Sequence, residues 1–262
     1  MSMEKKGILL AGGTGSRFFP VTKAVNKHFL AIYNKPMFFY PLSILMIGGI
    51  KKIQIVSDDE SLLKFDKILS QMNLDVEFSY QPQNEPAGIA DGLLKSEKFL
   101  GKSDFALILG DNFYFGQSLS AQIKQLMQKK NCIVTTKNNN PENFGVVKYD
   151  GNKIIDIVEK PKQFISDVIV TGLYTYENKC IEIAKNLKPS SRGELEVSDL
   201  NSYLIKNDML ETLDLGRGTV WFDAGTPDDL IRASEFVKLI QERSGFEIAN
   251  LNEINNEFIK KK

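Results

Sequence analysis

A single histidine, His28, stands in the whole of this 262-residue sequence. That excludes a multi-histidine metal centre, and it limits any Ser-His-Asp relay to this one residue. Cysteine is almost as scarce. Cys132 and Cys180 lie in apolar, strand-like runs without C-x-x-C spacing, so a disulfide-stapled scaffold is excluded and a reducing compartment fits. Neither sign of charge is in excess: 33 Lys and Arg balance 33 Asp and Glu. No global field therefore recruits nucleic acid or a membrane surface. No N-terminal signal segment appears, and no apolar run reaches about 18 residues. A soluble, cytoplasmic protein is expected, with Ile259-Lys260-Lys261-Lys262 a short solvated tail.

What is present begins at the N-terminus. The aliphatic run Gly7-Ile8-Leu9-Leu10 ends abruptly in Ala11-Gly12-Gly13-Thr14-Gly15-Ser16-Arg17, and Lys27 follows ten residues later. Glycines let backbone N–H groups approach phosphate oxygens closely. Arg17 and Lys27 are placed to neutralise a polyphosphate, Arg as a planar fork and Lys as a point charge. Two familiar phosphate loops are excluded. No Gly-Lys-Ser/Thr follows the glycines, and the dinucleotide fingerprint breaks at Phe18. A nucleoside triphosphate is the expected ligand.

Apolar runs alternate with helical patterns through the first half. Strands are expected at 7–10, 53–56, 76–80, 105–109 and 132–136, with helices at 37–46, 60–72, 89–100 and 119–129. The near-continuous apolar runs 53–56 and 105–109 read as strands covered on both faces, which predicts a doubly wound parallel sheet. Ligands of such sheets sit at the carboxyl ends of strands, where the glycine loop and Asp111 both fall. The second half differs. Residues 145–149 and 154–158 flank Asp150-Gly151-Asn152, an antiparallel hairpin signal, and 168–176 reads as a further strand of the same sheet. Thr226-Pro227-Asp228-Asp229 carries an N-cap, a first-turn proline and two acids, opening a helix through Glu242. The aromatic clusters 38–40 and 113–115 read mainly as core.

Asp111 in Leu109-Gly110-Asp111-Asn112 follows an apolar strand directly, and Asp223 in Trp221-Phe222-Asp223-Ala224-Gly225-Thr226 repeats the arrangement. Two carboxylates at strand ends beside a phosphate loop suit Mg²⁺, whose octahedron takes one or two carboxylates plus waters and phosphate oxygens. Turn or helix capping is the plain alternative for either aspartate taken singly. Glu159-Lys160-Pro161 ends a strand at a proline that stops pairing, and Arg192-Gly193-Glu194-Leu195-Glu196 reads on its own as a helix start.

Together with Pro20-Val21-Thr22, Asn26-Lys27-His28, Lys35-Pro36-Met37, Gly88-Ile89-Ala90 and Val170-Thr171-Gly172-Leu173-Tyr174, these blocks resemble the sugar-1-phosphate nucleotidyltransferase family, in family order across about residues 5–250. The resemblance implies a single domain of Rossmann-like fold, α/β, with a doubly wound, mostly parallel sheet and antiparallel additions. Residues 1–140 would form a nucleotide-binding half and 141–245 a sugar-phosphate-binding half. It implies transfer of a nucleoside monophosphate, dTMP first among the choices, onto a sugar 1-phosphate, glucose 1-phosphate first, releasing pyrophosphate by Mg²⁺-assisted in-line displacement. Catalytic roles would fall to Arg17, Lys27 and Lys160. Leu10, Gly12, Gly13, Thr14, Gly15, Gln83, Gly88 and Asp111 would bind nucleotide, with Gln83 and Gly88 on the pyrimidine edge. Gly145, Glu159, Lys160, Thr171 and Arg192 would bind sugar phosphate, and Asp111 with Asp223 the metal. A homo-oligomer is implied, with no nucleic acid or membrane partner.

The departures from the pattern are local. Ala31 replaces a usual proline, Asn34 a frequent aspartate, and Asp91-Gly92 the commoner Gln-Ala; Ala87 lacks a polar group found in longer members. They bear on base choice more than on catalysis. The sequence runs only a little past Glu242-Arg243-Ser244-Gly245, as in shorter members, so the resemblance does not by itself imply a regulatory site built on longer C-terminal helices. Uridylyl or cytidylyl transfer, a non-catalytic nucleotide-sugar binder and a dinucleotide-dependent oxidoreductase are the alternatives, the last disfavoured by its broken fingerprint.

Overall fold

The computed structural model describes residues 4–259 apart from Pro86, Asn152 and Ser191. Asn152 of the expected hairpin turn and the tail lysines Lys260, Lys261 and Lys262 lie outside those residues. Strand β1 (Lys6–Leu10) leads through short 3-10 turns and a small hairpin, β2 (Ala31–Ile32) with β3 (Lys35–Pro36), into α1 (Phe39–Ile47). Then come β4 (Lys52–Ser57), α2 (Asp59–Leu69), β5 (Glu77–Pro82), α3 (Ile89–Lys95), α4 (Glu97–Leu100), β6 (Phe105–Leu109), β7 (Asn112–Gly116), α5 (Leu119–Gln128) and β8 (Cys132–Lys137). The second half supplies β9 (Gly145–Asp150), β10 (Lys153–Glu159), β11 (Val168–Tyr176), α6 (Cys180–Ala184) and α7 (Val197–Lys206). It ends with β12 (Glu211–Asp214), β13 (Thr219–Asp223), α8 (Pro227–Ser244) and α9 (Leu251–Ile259).

A nine-stranded sheet organises the chain, in the order β10-β9-β11-β6-β1-β4-β5 with β8 and β12 branching from β11. The glycine-loop strand β1 lies between β4 and β6, parallel to both. Strand β11 enters antiparallel beside β6, so strands from both halves share one sheet. The alternation of β1 divides the core: Leu9 packs with α1, α2 and α5 on one face, Ile8 and Leu10 with α3, α6 and α7 on the other. That is the period-2 geometry of a strand buried on both sides. A third cluster, including Phe18, Tyr40, Phe113, Ala233 and Val237, fills the space under α8.

Local chemistry explains where elements depart from the pattern. The expected helix 89–100 divides at Ser96, whose hydroxyl bonds back to the Gly92 carbonyl at 2.9 Å and competes with the helical ladder. The expected helix from residue 37 starts at Phe39 instead, because the Met37 and Phe38 amides pair with Leu30 and His28 carbonyls. Thr226 caps α8 as expected, accepting from the Asp229 amide at 3.2 Å. The sequence pattern does not predict β7, which pairs with β13 as a separate antiparallel ribbon, nor α9, which packs on α1, nor the short β2–β3 hairpin, α6 and β12. Among the described residues no helix is long and apolar enough to cross a membrane.

Candidate active site

The glycine loop leaves the carboxyl end of β1 and is tied down at its root. Asn26 Nδ2 donates to the Ala11 carbonyl at 3.2 Å and to Asp58 Oδ2 at 3.1 Å, and Ser57 Oγ donates to the same carbonyl at 2.8 Å. Gly15 turns the chain at a φ of 57°, where a side chain would be strained and its Cβ would meet Thr22 at 2.7 Å. The 3-10 turn that follows buries Phe18 and leaves Arg17 exposed toward the cleft. Gly12 and Gly13 line one cleft wall, Thr14 lies on the outer side of the loop with Asp58, and Gly15 lines neither of these two hollows.

The two aspartates meet. The ribbon sets Asp223 opposite Asn112, and the Ala224 amide donates to the Asp111 carbonyl at 2.9 Å. Lys27 Nζ reaches Asp111 Oδ2 at 2.6 Å, with side-chain exposures of 16% and 15%. Burial opposes ionisation of Asp111, but the charges of Lys27 and its hydrogen bond, with that of Asn112, outweigh it and hold the carboxyl well below the usual range. Asp223 goes the other way. Burial, then the Asp111 charge, pushes its carboxyl well above the usual range, while Lys27 and Arg17 only partly offset this. Two neighbouring carboxylates of which one resists ionisation make a donor pair that a divalent cation would relieve. No group of three or more potential metal ligands occurs among the described residues. Two carboxylates nonetheless suit Mg²⁺, which takes its remaining oxygens from phosphate and water.

Asn112 holds this corner together. Its Nδ2 donates to Asp111 Oδ1 at 3.1 Å, and its Oδ1 accepts from Trp221 Nε1 at 2.7 Å and the Gly172 amide at 2.9 Å. The Tyr114 hydroxyl lies 3.3 Å from the same oxygen but donates its one hydrogen to Thr171 Oγ1 at 2.9 Å, which in turn donates to the Val134 carbonyl. The Gly172 and Thr171 contacts fall at an irregularity in β11 between Val170 and Tyr174, where its pairing with β8 is interrupted. Asn112 and Trp221 were visible in their blocks but carried no assigned role, and Asn26 and Tyr114 likewise. His28 packs beneath Gly110; burial, then the Lys27 charge, lowers its pKa to about 3, so it stays neutral.

The residues expected on the sugar side converge from another direction. Glu159 ends β10 opposite Gly145, where a Cβ would stand 3.2 Å from Glu159 Oε2. Lys160 follows at a φ of 44°, an unusual value for a residue with a side chain, with its amide bonded to the Phe144 carbonyl. With Arg17, Asp111, Thr171, Arg192 and Asp223 they line one cavity of ≈ 420 Å³. Arg192 is turned aside: its guanidinium grips Glu196 through both carboxylate oxygens at 2.9 and 3.0 Å.

The expected base-side residues form an adjoining cavity of ≈ 220 Å³, lined by Leu10, Gly12, Lys27, Gln83, Gly88 and, from the wall shared with the first cavity, Asp111. Gly88 has a φ of 99°, and a Cβ there would lie 2.3 Å from the Leu195 carbonyl. Only glycine permits that approach, which brings residues 192–196 against the base-side segment. The Leu195 amide and carbonyl then pair with Ala87 and Ala90.

The nucleotidyl transferase family matches residues 6–239 of this chain. A glucose-1-phosphate thymidylyltransferase of Neisseria meningitidis is 42% identical over 253 residues, covering 95% of this chain and 88% of that protein. One from Mycolicibacterium smegmatis is 38% identical over 252 residues, again covering 95% and 88%. A crystal structure from Bacillus anthracis, provisionally described as a glucose-1-phosphate thymidylyltransferase in complex with a sucrose, superimposes with a TM-score of 0.81 at 36% identity. It covers 88% of this chain and 94% of that one. A UDP-glucose pyrophosphorylase complexed with UDP-glucose shares the fold, with a TM-score of 0.79 at 24% identity over 92% of this chain and 100% of its own. The chain belongs to the nucleotidyl transferase family.

Proposed function

We propose that this protein transfers dTMP from dTTP to glucose 1-phosphate and releases pyrophosphate. One observation carries the reading: the cavity beside the glycine loop and the cavity holding Glu159 and Lys160 share Asp111, so two phosphate-bearing substrates would meet there. The thymidylyltransferase names of the relatives support the choice of base and sugar. In this division of labour residues 1–140 hold the triphosphate and residues 141–245 the sugar phosphate.

The chemistry needs no general base. An oxygen of the sugar phosphate is already anionic; it attacks the α-phosphorus, the bond to the bridging oxygen of the β-phosphate breaks, and pyrophosphate leaves with that electron pair. The obstacle is charge, because two polyanions must approach in line. Arg17 and Lys27 would neutralise the triphosphate, and Lys160 the sugar phosphate. Glu159 would accept from sugar hydroxyls beside Gly145. Asp111 and Asp223 would hold Mg²⁺, which when bound supplies further neutralisation of phosphate oxygens. Neutral His28 keeps the floor beneath Gly110 filled without adding charge.

Pyrophosphate release from the purified protein tests this directly, using dTTP, UTP and dCTP against glucose 1-phosphate and other sugar phosphates, with and without chelator. The expected result is turnover that chelator abolishes and that is fastest with dTTP and glucose 1-phosphate. No pyrophosphate from any pair would overturn the reading.

A further inference from the structure

The base-side cavity contains a polar relay outside the catalytic set. Gln83 follows β5, its amide N–H held by the Ser57 carbonyl at 2.8 Å, and its side chain turns toward the first turn of α3. There Nε2 donates to Asp91 Oδ2 at 2.7 Å and to the Gly88 carbonyl at 3.1 Å. Both Nε2 hydrogens are therefore spent. Turning the amide over would set Oε1 against two oxygens and forfeit both bonds, so its orientation follows from the partners. Asp91 is itself held by Lys95 one helical turn later. Oε1 is left at the cavity wall beside Gly12, and among the described residues no donor reaches it.

We infer that Asp91 is a positioning residue that fixes Gln83 as a hydrogen-bond acceptor and so selects a base edge presenting an N–H. The inference rests on the nucleotidyl-transfer reading, which puts the base in this cavity. Thymine and uracil carry a hydrogen on N3; cytosine offers a lone pair there, which Oε1 would repel. Discrimination between pyrimidines then comes from the locked polarity of one amide, because an amide free to turn over serves either base. A buried partner left unpaired rejects the wrong ligand more strongly than a missing contact weakens the right one. Apolar Leu10, Ile89 and Leu109 line the same cavity and suit the faces of the ring.

The isosteric change Asp91→Asn tests this, because its amide pairs with Gln83 in either orientation and leaves only the Gly88 carbonyl to set the polarity of the Gln83 amide. Calorimetric affinities for dTDP and dCDP are measured on the full chain, alongside KM and kcat with dTTP and dCTP. The wild type should prefer dTDP. Asp91→Asn should shrink that preference about tenfold, the worth of one hydrogen bond. The change should appear in KM rather than kcat, and Asp91→Glu should restore the preference. A purely structural role for Asp91 would weaken both nucleotides alike, and that result, or an unchanged preference, overturns the inference. Absence of a preference in the wild type overturns it too, whatever the turnover. Selective dTDP binding lost in Asp91→Asn, but without pyrophosphate from any substrate pair, would sink the enzymatic reading and leave this inference standing.

Discussion

Around Asp111 the chain supplies its own partners for the carboxylate, whereas the edge carrying Glu159, Lys160 and Arg192 is open to solvent. Both Asp111 oxygens are engaged, by Lys27 and Asn112, and Asn112 is only 2% exposed. Lys160 is exposed at a left-handed φ, and the Arg192 side chain is 52% exposed while clasping Glu196. The difference follows from position. The corner sits where a buried strand, a two-stranded ribbon and the irregularity in β11 meet, so its dipoles are fixed by packing; the edge lies at the end of β10, the outermost strand of the sheet. Fixed dipoles stabilise developing charge without reorganising, while exposed groups must order at the moment of binding. Under the proposed function the corner would serve the chemistry and the edge substrate admission.

The largest effect should come from the corner. Asp111→Asn keeps shape but removes the charge facing Lys27, and kcat for pyrophosphate release should fall by about a thousandfold. Because the pair is mostly buried, the melting temperature should fall as well. Activity within tenfold of the parent would erase the contrast between the two regions. At the edge, Lys160→Gly should separate the two properties. Relief of a strained backbone, about 1–3 kcal/mol, exceeds the flexibility cost of glycine, about 0.5–1 kcal/mol. The variant should therefore melt slightly higher while kcat/KM for the sugar phosphate drops about a hundredfold. A lower melting temperature would mean the edge is as preorganised as the corner.

This same contrast governs what could be read from the sequence. The glycine loop, the strands of the doubly wound half and the cap of α8 were legible because each is written in consecutive residues, as period-2 or 3.6 alternation and turn chemistry. Asp111 and Asp223 were legible as strand-end carboxylates. Their use as one metal pair is likewise expected from the sequence; the ribbon that sets Asp223 opposite Asn112 is not, because β7 pairs with β13 across half the length of the chain. Asn112 reads locally as an ordinary turn residue after aspartate. Its importance lies in Trp221, Tyr114 and Gly172, which only the folded ribbon and the break in β11 bring to it. Helix α9 was missed for a similar reason: its short pattern, Leu251-Asn252-Glu253-Ile254-Asn255, gains meaning only against α1. The grip of Glu196 on Arg192 likewise depends on how residues 192–196 dock beside Gly88.

His28 gives a pH test of how dry the corner is. Its pKa is lowered to about 3 by burial and by the Lys27 charge, from an ordinary value of 6.5. Between those values the unfolded chain binds a proton that the folded chain refuses, so stability from this group is present above pH 6.5 and is lost as pH falls toward 3. Asp223, raised above its ordinary value, acts with the opposite sign over part of that range, so the wild type alone does not isolate the histidine. The comparison with His28→Gln does. The variant should be less stable at pH 7.5, and by pH 5 the gap in urea unfolding should narrow by about 2 kcal/mol. A gap independent of pH would mean that the imidazole is solvated in the fold.

The smallest effect should come from Trp221→Phe, and its smallness carries the point. The change deletes one donor, Nε1–H, to Asn112 Oδ1 while keeping an aromatic ring beside Phe144. Oδ1 retains the Gly172 amide at 2.9 Å, so no buried acceptor is orphaned even though the Tyr114 hydroxyl spends its hydrogen on Thr171 Oγ1. A loss of about 1 kcal/mol is expected, read as a drop of roughly 2 °C in melting temperature. Turnover should change by less than about twofold, because the Asn112 amide still holds Asp111 from the other side. If Trp221→Phe instead cost as much turnover as Asp111→Asn, Asn112 would depend on a single hydrogen bond. The corner would then be no better fixed than the edge, and burial alone could not explain their difference.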